Sequence, residues 1–353
     1  MAISKIAQPQ FNPYGDDAPV PVPSSGPWLA PLATGPFAAT IQLPGSKSLT
    51  NRELILAAVA DGPSLLRAPL HSRDTALMIE GLRALGVRID EVPGDGPYGA
   101  DLLVTPGELE GGVSIDCGLA GTVMRFLPPL AALALGPVAF DGDPHARIRP
   151  MRAMLTALRE LGIDVSDDGR GALPFSLYGT GAVEGGELSI DASASSQFVS
   201  GLLLVASRFI KGLTLHHVGE TLPSLPHIEM TIETLAARGV IVKTPEPGTW
   251  VVPPSVIAAR DVEIETDLSN AGPFLAAALV AGGSVTVTGW PTRTTQVGAR
   301  MSDILGRMGA QVSFSSTSDS TGDLTVTGTG TMKGITLDEA SELAPTVAAI
   351  AAL

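Results

Sequence analysis

A pattern of about 75 residues recurs along this chain, and it limits the possible folds more than any other feature. The segments MIEGLRALGVRID (78–90), MRAMLTALRELGIDV (151–165), MTIETLAARGVIV (230–242) and MSDILGRMGAQVSF (301–314) each read as an amphipathic helix, a closing glycine and a β-rich run. The closing glycines are Gly86, Gly162, Gly239 and Gly309, with spacings of 76, 77 and 70. Glycine suits the left-handed residue at which many helices end, so ordinary helix termination is the competing explanation. The regular spacing argues instead for a repeated structural unit. A more apolar helix precedes each segment: ELILAAVA (53–60), TVMRFLPPLAALAL (122–135), QFVSGLLLVASRF (197–209) and PFLAAALVA (273–281). A turn and a strand follow each of these. The unit therefore reads helix, strand, helix, strands, an α/β arrangement in which sheet is buried against helix.

A fifth copy starts at DEASELAPTVAAIAAL (338–353), and the sequence stops at Leu353 inside its apolar helix. From this we expect the C-terminal part of a longer protein to lie beyond it. The first 36 residues hold eight prolines and no continuous apolar run. They suit neither a signal peptide nor a membrane anchor and read as an extended, partly disordered lead-in.

The nine residues PGSKSLTNR (44–52) concentrate two cations, three hydroxyls and an amide just ahead of an apolar helix. Lys47 is expected immediately before that helix, where free N–H groups and the positive dipole end attract anions. Ser48 and Arg52 lie four apart and share a helix face. Capture of a phosphate or carboxylate on a small molecule is the chemistry this favours; a Ser-capped helix with incidental surface cations is the plain alternative. A nucleotide P-loop is rejected, because Ser46 separates Gly45 from Lys47 and no glycine stands at the required earlier place. Each first helix opens on a similar small or polar cluster: Ala120-Gly121-Thr122, Ser195-Ser196-Gln197, and Asp267 with Ser269 and Asn270. Packed by pseudo-symmetry, these ends would converge on one anion-attracting cleft.

With 353 residues, two or three domains are expected. The net charge of −14 argues against nucleic acid as a partner, yet 22 Lys and Arg are enough to line one cleft for anionic substrates. The one cysteine, Cys117, permits no internal disulfide and no cysteine-rich metal site, and the five histidines show no ligand spacing. No metal, no organic cofactor and no transmembrane helix are expected, and the cytoplasm is the default compartment.

Together PGSKSLTNR, LAGTVMR (119–125), RIRPM (147–151), SASSQF (193–198), SLPHIEM (224–230) and TDLSNAGPFLAAA (266–278) resemble the enolpyruvyl transferases. The likeness is strongest to the branch acting on shikimate 3-phosphate, in a form typical of actinobacteria, and runs from about residue 36 to the end. The resemblance implies a two-domain fold of repeated βαβαββ-like units, with about four of six present here. The first domain would span 47–264; 37–46 and 265–353 would form an incomplete second one with exposed apolar surface. The chain would cross between them near 44–47 and 264–267. The implied reaction moves the enolpyruvyl group of phosphoenolpyruvate to the 5-hydroxyl of shikimate 3-phosphate and releases phosphate, without a cofactor.

By the same resemblance, Lys47 would bridge both substrates, and Ser48 and Arg52 would bind the shikimate carboxylate. Ser195, Ser196 and Ser224 would hold the 3-phosphate, with Gln197 at the junction of both substrates. Gly121 and Arg149 would lie against phosphoenolpyruvate. Glu342 would handle the proton of the target hydroxyl, the alternative being a carboxylate that only satisfies a helix N-terminus. Leu119, Phe126 and His227 depart from residues common in relatives; a Tyr often contacts substrate where His227 stands. The family's late arginines and lysine would lie beyond Leu353, so the polypeptide alone is expected to be weakly active or inactive. A monomer is expected for the complete protein. Two other readings follow from the same residues. One is the sister enzyme acting on UDP-N-acetylglucosamine, which uses a cysteine on a flexible loop; Cys117 reads better as a buried small apolar residue. The other is a fragment that only binds shikimate 3-phosphate.

Overall fold

The computed structural model describes residues 33–353. The proline-rich lead-in expected over 1–36 lies, through residue 32, outside the described residues.

Four sheets repeat one strand plan. In the second unit Val113–Asp116 runs parallel to Leu135–Asp141, with Phe175–Thr180 and then Asp164–Ser166 added antiparallel. Parallel neighbours need a crossover, supplied here by the helix Gly121–Ala131. The first unit places Ser64–Arg67, Asp101–Thr105 and Arg88–Val92 in the corresponding positions. The fourth uses Ser284–Pro291, Thr321–Thr327 and Gln311–Ser316. The third has Gly186–Ile190, Leu213–His217 and Thr249–Val252, and a single bridge from Lys243 to Val251 stands where its fourth strand would be. Pro245 and Pro247, which cannot donate to a ladder, follow that bridge.

Two parallel edge strands are exchanged between units. The first sheet takes Val262–Glu263 from after the third unit, and the fourth takes Ala38–Ile41 from before the first. The two connecting segments therefore run side by side. Gly45 bridges Thr266, the Ser46 N–H donates to the Glu265 carbonyl at 2.7 Å, and the Asp267 N–H donates to the Pro44 carbonyl at 2.9 Å. Gly45 is required here, since a Cβ would run into the Ala68 carbonyl.

The first three units share one hydrophobic core, and the fourth has its own around Leu275, Val287, Leu305 and Val326. Helices Lys47–Ala58, Gly121–Ala131 and Gln197–Ala206 pack against one another and are buried on nearly every side. Their apolar circumference is what a central helix needs, and each buried Leu, Ile or Phe contributes about 1.5–3 kcal/mol. The helix expected over 122–135 ends earlier, at Ala131; Leu133 and Ala134 close it with tighter i to i−3 bonds, and Leu135 is already strand. A run of Ala and Leu alone cannot mark that boundary. The fourth unit leaves apolar side chains in solvent at Phe274, Val280, Val312 and Phe314.

The closing glycines share one geometry. Gly86, Gly162, Gly239 and Gly309 have φ of 99, 86, 85 and 111°. In each case the next residue's N–H reaches back five residues: Val87 to Leu82, Ile163 to Leu158, Val240 to Leu235 and Ala310 to Leu305, at 3.0–3.1 Å. This is the 6→1 bond of a left-handed C-cap. Gly162→Ala meets open space and only backbone strain, and is expected to cost about 1–2 kcal/mol in urea unfolding. Gly86→Ala should cost more, because its Cβ would lie 2.5 Å from the Glu108 carbonyl oxygen. Equal losses at the two sites would contradict this account.

Candidate active site

Five helix N-termini meet around the crossing segments. Asn51 Nδ2 donates to Thr122 Oγ1 at 2.8 Å, joining the first turns of Lys47–Ala58 and Gly121–Ala131. Arg52 binds the third and fourth: Nη2 donates to Ser200 Oγ and to the His227 carbonyl, and Nε donates to Thr231 Oγ1. The fifth, Leu268–Ala281, is reached through Asp267, whose Oδ2 accepts the Lys47 N–H at 3.3 Å. None of the five carries an acidic residue in its first turn, although Asp267 caps the last. A carboxylate in the first turn is the ordinary way to satisfy a positive dipole end. Leaving it out keeps these ends available to anions.

Lys47 is the first residue of its helix rather than the residue before it, and Ser46 is the cap. The helix therefore begins six residues earlier than its apolar run suggests, because the polar motif itself forms the first turn. Lys47, Ser48, His227 and Glu342 line one cavity of 210 Å³ with Asp267, Ser269 and Asn270. Lys47 Nζ sits 3.4 Å from Asp74 Oδ2. Arg52, expected with Ser48 to bind the shikimate carboxylate, is buried, with 1% exposure. Its Nη1 donates to the Ser48 carbonyl at 2.9 Å, and its guanidinium lies 5.4 Å from the Phe126 ring centroid. Burial brings its pKa down to about 10, with Glu342 opposing, so the cation persists at neutral pH. Phe126 thus has a structural reason: it covers a buried guanidinium with the face of its ring.

Gly121, Arg149 and Gln197 form a second group, and the structure adds Arg125 to it. Arg125 Nη1 donates to Gln197 Oε1 at 2.7 Å, and Arg149 Nη1 donates to the Leu119 carbonyl at 2.9 Å. A Cβ on Gly121 would lie 2.8 Å from Arg125 Nη1 and 3.0 Å from Arg149 Nη2. Arg125 is buried with Nε unbonded, and among the described residues neither guanidinium has a carboxylate partner. Burial, then the charge of Arg149, brings the Arg125 pKa down to about 10. Two cations are thus held together without an anion, an arrangement that an incoming phosphate or carboxylate would relieve. Sequence reasoning passed over Arg125, although LAGTVMR places it one helical turn after Gly121.

Ser195 and Ser196 stand beside this group. Ser195 Oγ accepts the Gln197 N–H at 3.3 Å and Ser196 is the helix cap. Ser224 occupies a left-handed conformation with φ of 53° and pairs with Ser341 Oγ at 3.3 Å, across from the third unit to the segment after the fourth. Glu342 makes the same crossing. Its Oε2 lies 3.1 Å from His227 Nε2, and its Oε1 accepts a hydrogen bond from Ser269 Oγ. Burial raises this carboxyl, but the bonds from His227 and Ser269 with the charges of His227 and Lys47 outweigh it, holding it below the usual range. Among the described residues no cluster of three potential metal ligands occurs, and no helix is long and apolar enough to cross a membrane.

Cys117 is buried at the turn after strand Val113–Asp116. Burial, with Asp116 and Asp141 nearby, pushes its thiol up to about 12, so it carries almost no thiolate at neutral pH. In the native chain at pH 8 it should resist a soluble disulfide reagent for as long as the fold persists, and react at once in denaturant. Immediate native labelling would reopen the thiol chemistry.

Repeated βαβαββ sheets and helix ends gathered around unpaired cations define the enolpyruvyl transferase class. Solved structures share the fold: an EPSP synthase from Acinetobacter baumannii, at a TM-score of 0.72 and 23% identity, over 88% of this chain and 69% of that one. The enolpyruvyl transferase NikO from Streptomyces tendae matches at 0.67 and 16%, over 91% and 74%. A family model described as EPSP synthase (3-phosphoshikimate 1-carboxyvinyltransferase) matches residues 32–353. A 3-phosphoshikimate 1-carboxyvinyltransferase from Kocuria rhizophila is 53% identical over 334 residues, covering 92% of this chain and 74% of that protein. The chain belongs to the EPSP synthase family.

Proposed function

We infer that this chain transfers the enolpyruvyl group of phosphoenolpyruvate to shikimate 3-phosphate, in aromatic amino acid biosynthesis. The 5-hydroxyl oxygen bonds to C2 of phosphoenolpyruvate as C3 takes a proton. The resulting tetrahedral adduct then loses that proton and phosphate to give the enolpyruvyl ether. Two anions must be brought together for this, so the enzyme's task is to offset their repulsion and orient them. The observation that supports the reading best is the guanidinium pair Arg125 and Arg149 flanking side-chain-free Gly121, with Gln197 across from them.

In this reading Gly121, Arg149 and Gln197, joined by Arg125, receive phosphoenolpyruvate, and Lys47 reaches both substrates. Ser48 binds the shikimate carboxylate, with Arg52 adding charge from beneath. Ser195, Ser196, Gln197 and Ser224 hold shikimate 3-phosphate, and Glu342 accepts the hydroxyl proton. The proposed architecture is two domains, 47–264 and 37–46 with 265–353, hinged on the paired crossing segments. The proposed setting is the cytoplasm, where a buried free thiol stays reduced, and the proposed working state is a monomer.

Phosphate release from phosphoenolpyruvate that depends on shikimate 3-phosphate tests the assignment. Lys47→Ala should lower kcat/KM at least about a hundredfold, the loss of charged hydrogen bonds worth about 3 kcal/mol. Gly121→Ala should raise KM for phosphoenolpyruvate about tenfold, or about 1.4 kcal/mol, and weaken shikimate 3-phosphate binding less. An unaltered Lys47 variant would refute the site. Small-angle scattering should show the chain compacting when shikimate 3-phosphate is added, because the ligand would bridge both sides of the cleft. An unchanged radius of gyration at saturation would count against the hinge.

A further inference from the structure

Glu342 is held by two donors from different parts of the molecule. Ser269 Oγ, in the first turn of Leu268–Ala281, donates to Oε1. His227, in helix Leu225–Ala237, presents Nε2 to Oε2 at 3.1 Å. The His227 side chain is 17% exposed and that of Glu342 34%, so the pair sits at the wall of the cavity rather than on open surface. The remaining charges around the carboxylate are Lys47 and Arg52 from helix Lys47–Ala58, and Asp267 at the cap of Leu268–Ala281.

We propose that His227 is the positioning residue of Glu342: its Nε2–H fixes the carboxylate in the cavity, aimed to receive the substrate hydroxyl proton. This rests on the assignment of Glu342 as that acceptor. Glu342 stands on the single 3-10 turn Ser341–Leu343, entered through Ser341 at φ of 47°. Ser269 supplies one point of attachment and His227 the other. Each carboxylate oxygen then keeps a lone pair for substrate. Two donors favour the charged form over the neutral acid, so the base stays unprotonated at lower pH than a free carboxylate would. The contact also explains the histidine itself. Imidazole carries a donor on a ring short enough to meet a Glu at this position.

The test uses the full chain with two variants, His227→Phe, which keeps a ring and removes the donor, and His227→Gln, which restores an N–H near Nε2. The Glu342 carboxyl is titrated by 13C NMR, with Glu342→Gln identifying its signal. The titration midpoint should rise in His227→Phe and return toward wild type in His227→Gln. The acid limb of kcat for shikimate 3-phosphate-dependent phosphate release should move upward with it, while kcat on the plateau changes less. A purely structural role for His227 would instead lower kcat at every pH and leave the limb in place. An unmoved carboxyl midpoint in His227→Phe overturns the proposal, as does a moved midpoint with an unmoved limb. If the chain shows the midpoint shift but neither binds shikimate 3-phosphate nor releases phosphate, the pairing stands and the reaction assigned above falls.

Discussion

The buried guanidinium of Arg52 is the contact on which the site depends. A cation with 1% exposure is costly unless its N–H groups are bonded. Its partners come from three helices, through the Ser48 and His227 carbonyls, Thr231 and Ser200, and the Phe126 ring lies against it from a fourth. Thr231 in turn donates to Ser200, so the network closes on itself. The requirement to pair one charge thus fixes the register of four helix ends. Removing the charge would leave two carbonyls and a hydroxyl cluster facing apolar core, so the network is committed once it forms.

Around this fixed point the charges divide into two kinds. Some cations are matched: Arg238 is paired with Glu53 at 2.8 Å in the core, where both are nearly inaccessible. Lys47 is held by Asp74 at the cavity mouth, where that carboxylate also serves the N-terminus of its own helix, Arg73–Ala84. Arg125 and Arg149 are not matched by any carboxylate among the described residues. A protein of net charge −14 that withholds carboxylates from one small region concentrates positive potential there. The acidic remainder of the surface discourages polyanions from binding elsewhere.

Much of the fold was legible because it depends on features written locally. The four closing glycines adopt positive φ with the same backward bond, since only a residue without Cβ takes that conformation at low cost. The exchange of Ala38–Ile41 and Val262–Glu263 between sheets was not legible locally, because nothing in a short strand distinguishes one that joins its own sheet from one that joins another. The polar core was illegible. Glu53 and Arg238 stand 185 residues apart, and neither motif nor period links them. Arg52 was recognised as important, yet its burial was not, since an exposed and a buried arginine look alike one turn after a serine. Arg125 lay in plain view within a quoted motif. What would have found it is its placement four residues after Gly121, on the same helical face. His227 stood out as an unusual residue, but its partner lies 115 positions away, in a turn whose path no periodicity predicts.

The exchanged edge strands have a consequence for how the chain is made. Ala38–Ile41 leaves the ribosome early, but its neighbour Ser284–Pro291 follows some 240 residues later. At translation speeds of 5–20 residues per second, that strand waits roughly 12 to 50 seconds with an unsatisfied edge. Its shortness and its alternation of exposed and half-buried residues keep it a poor template for foreign pairing meanwhile. The fourth unit then zips onto a segment synthesised before the first three, so its sheet is completed by a strand already in place.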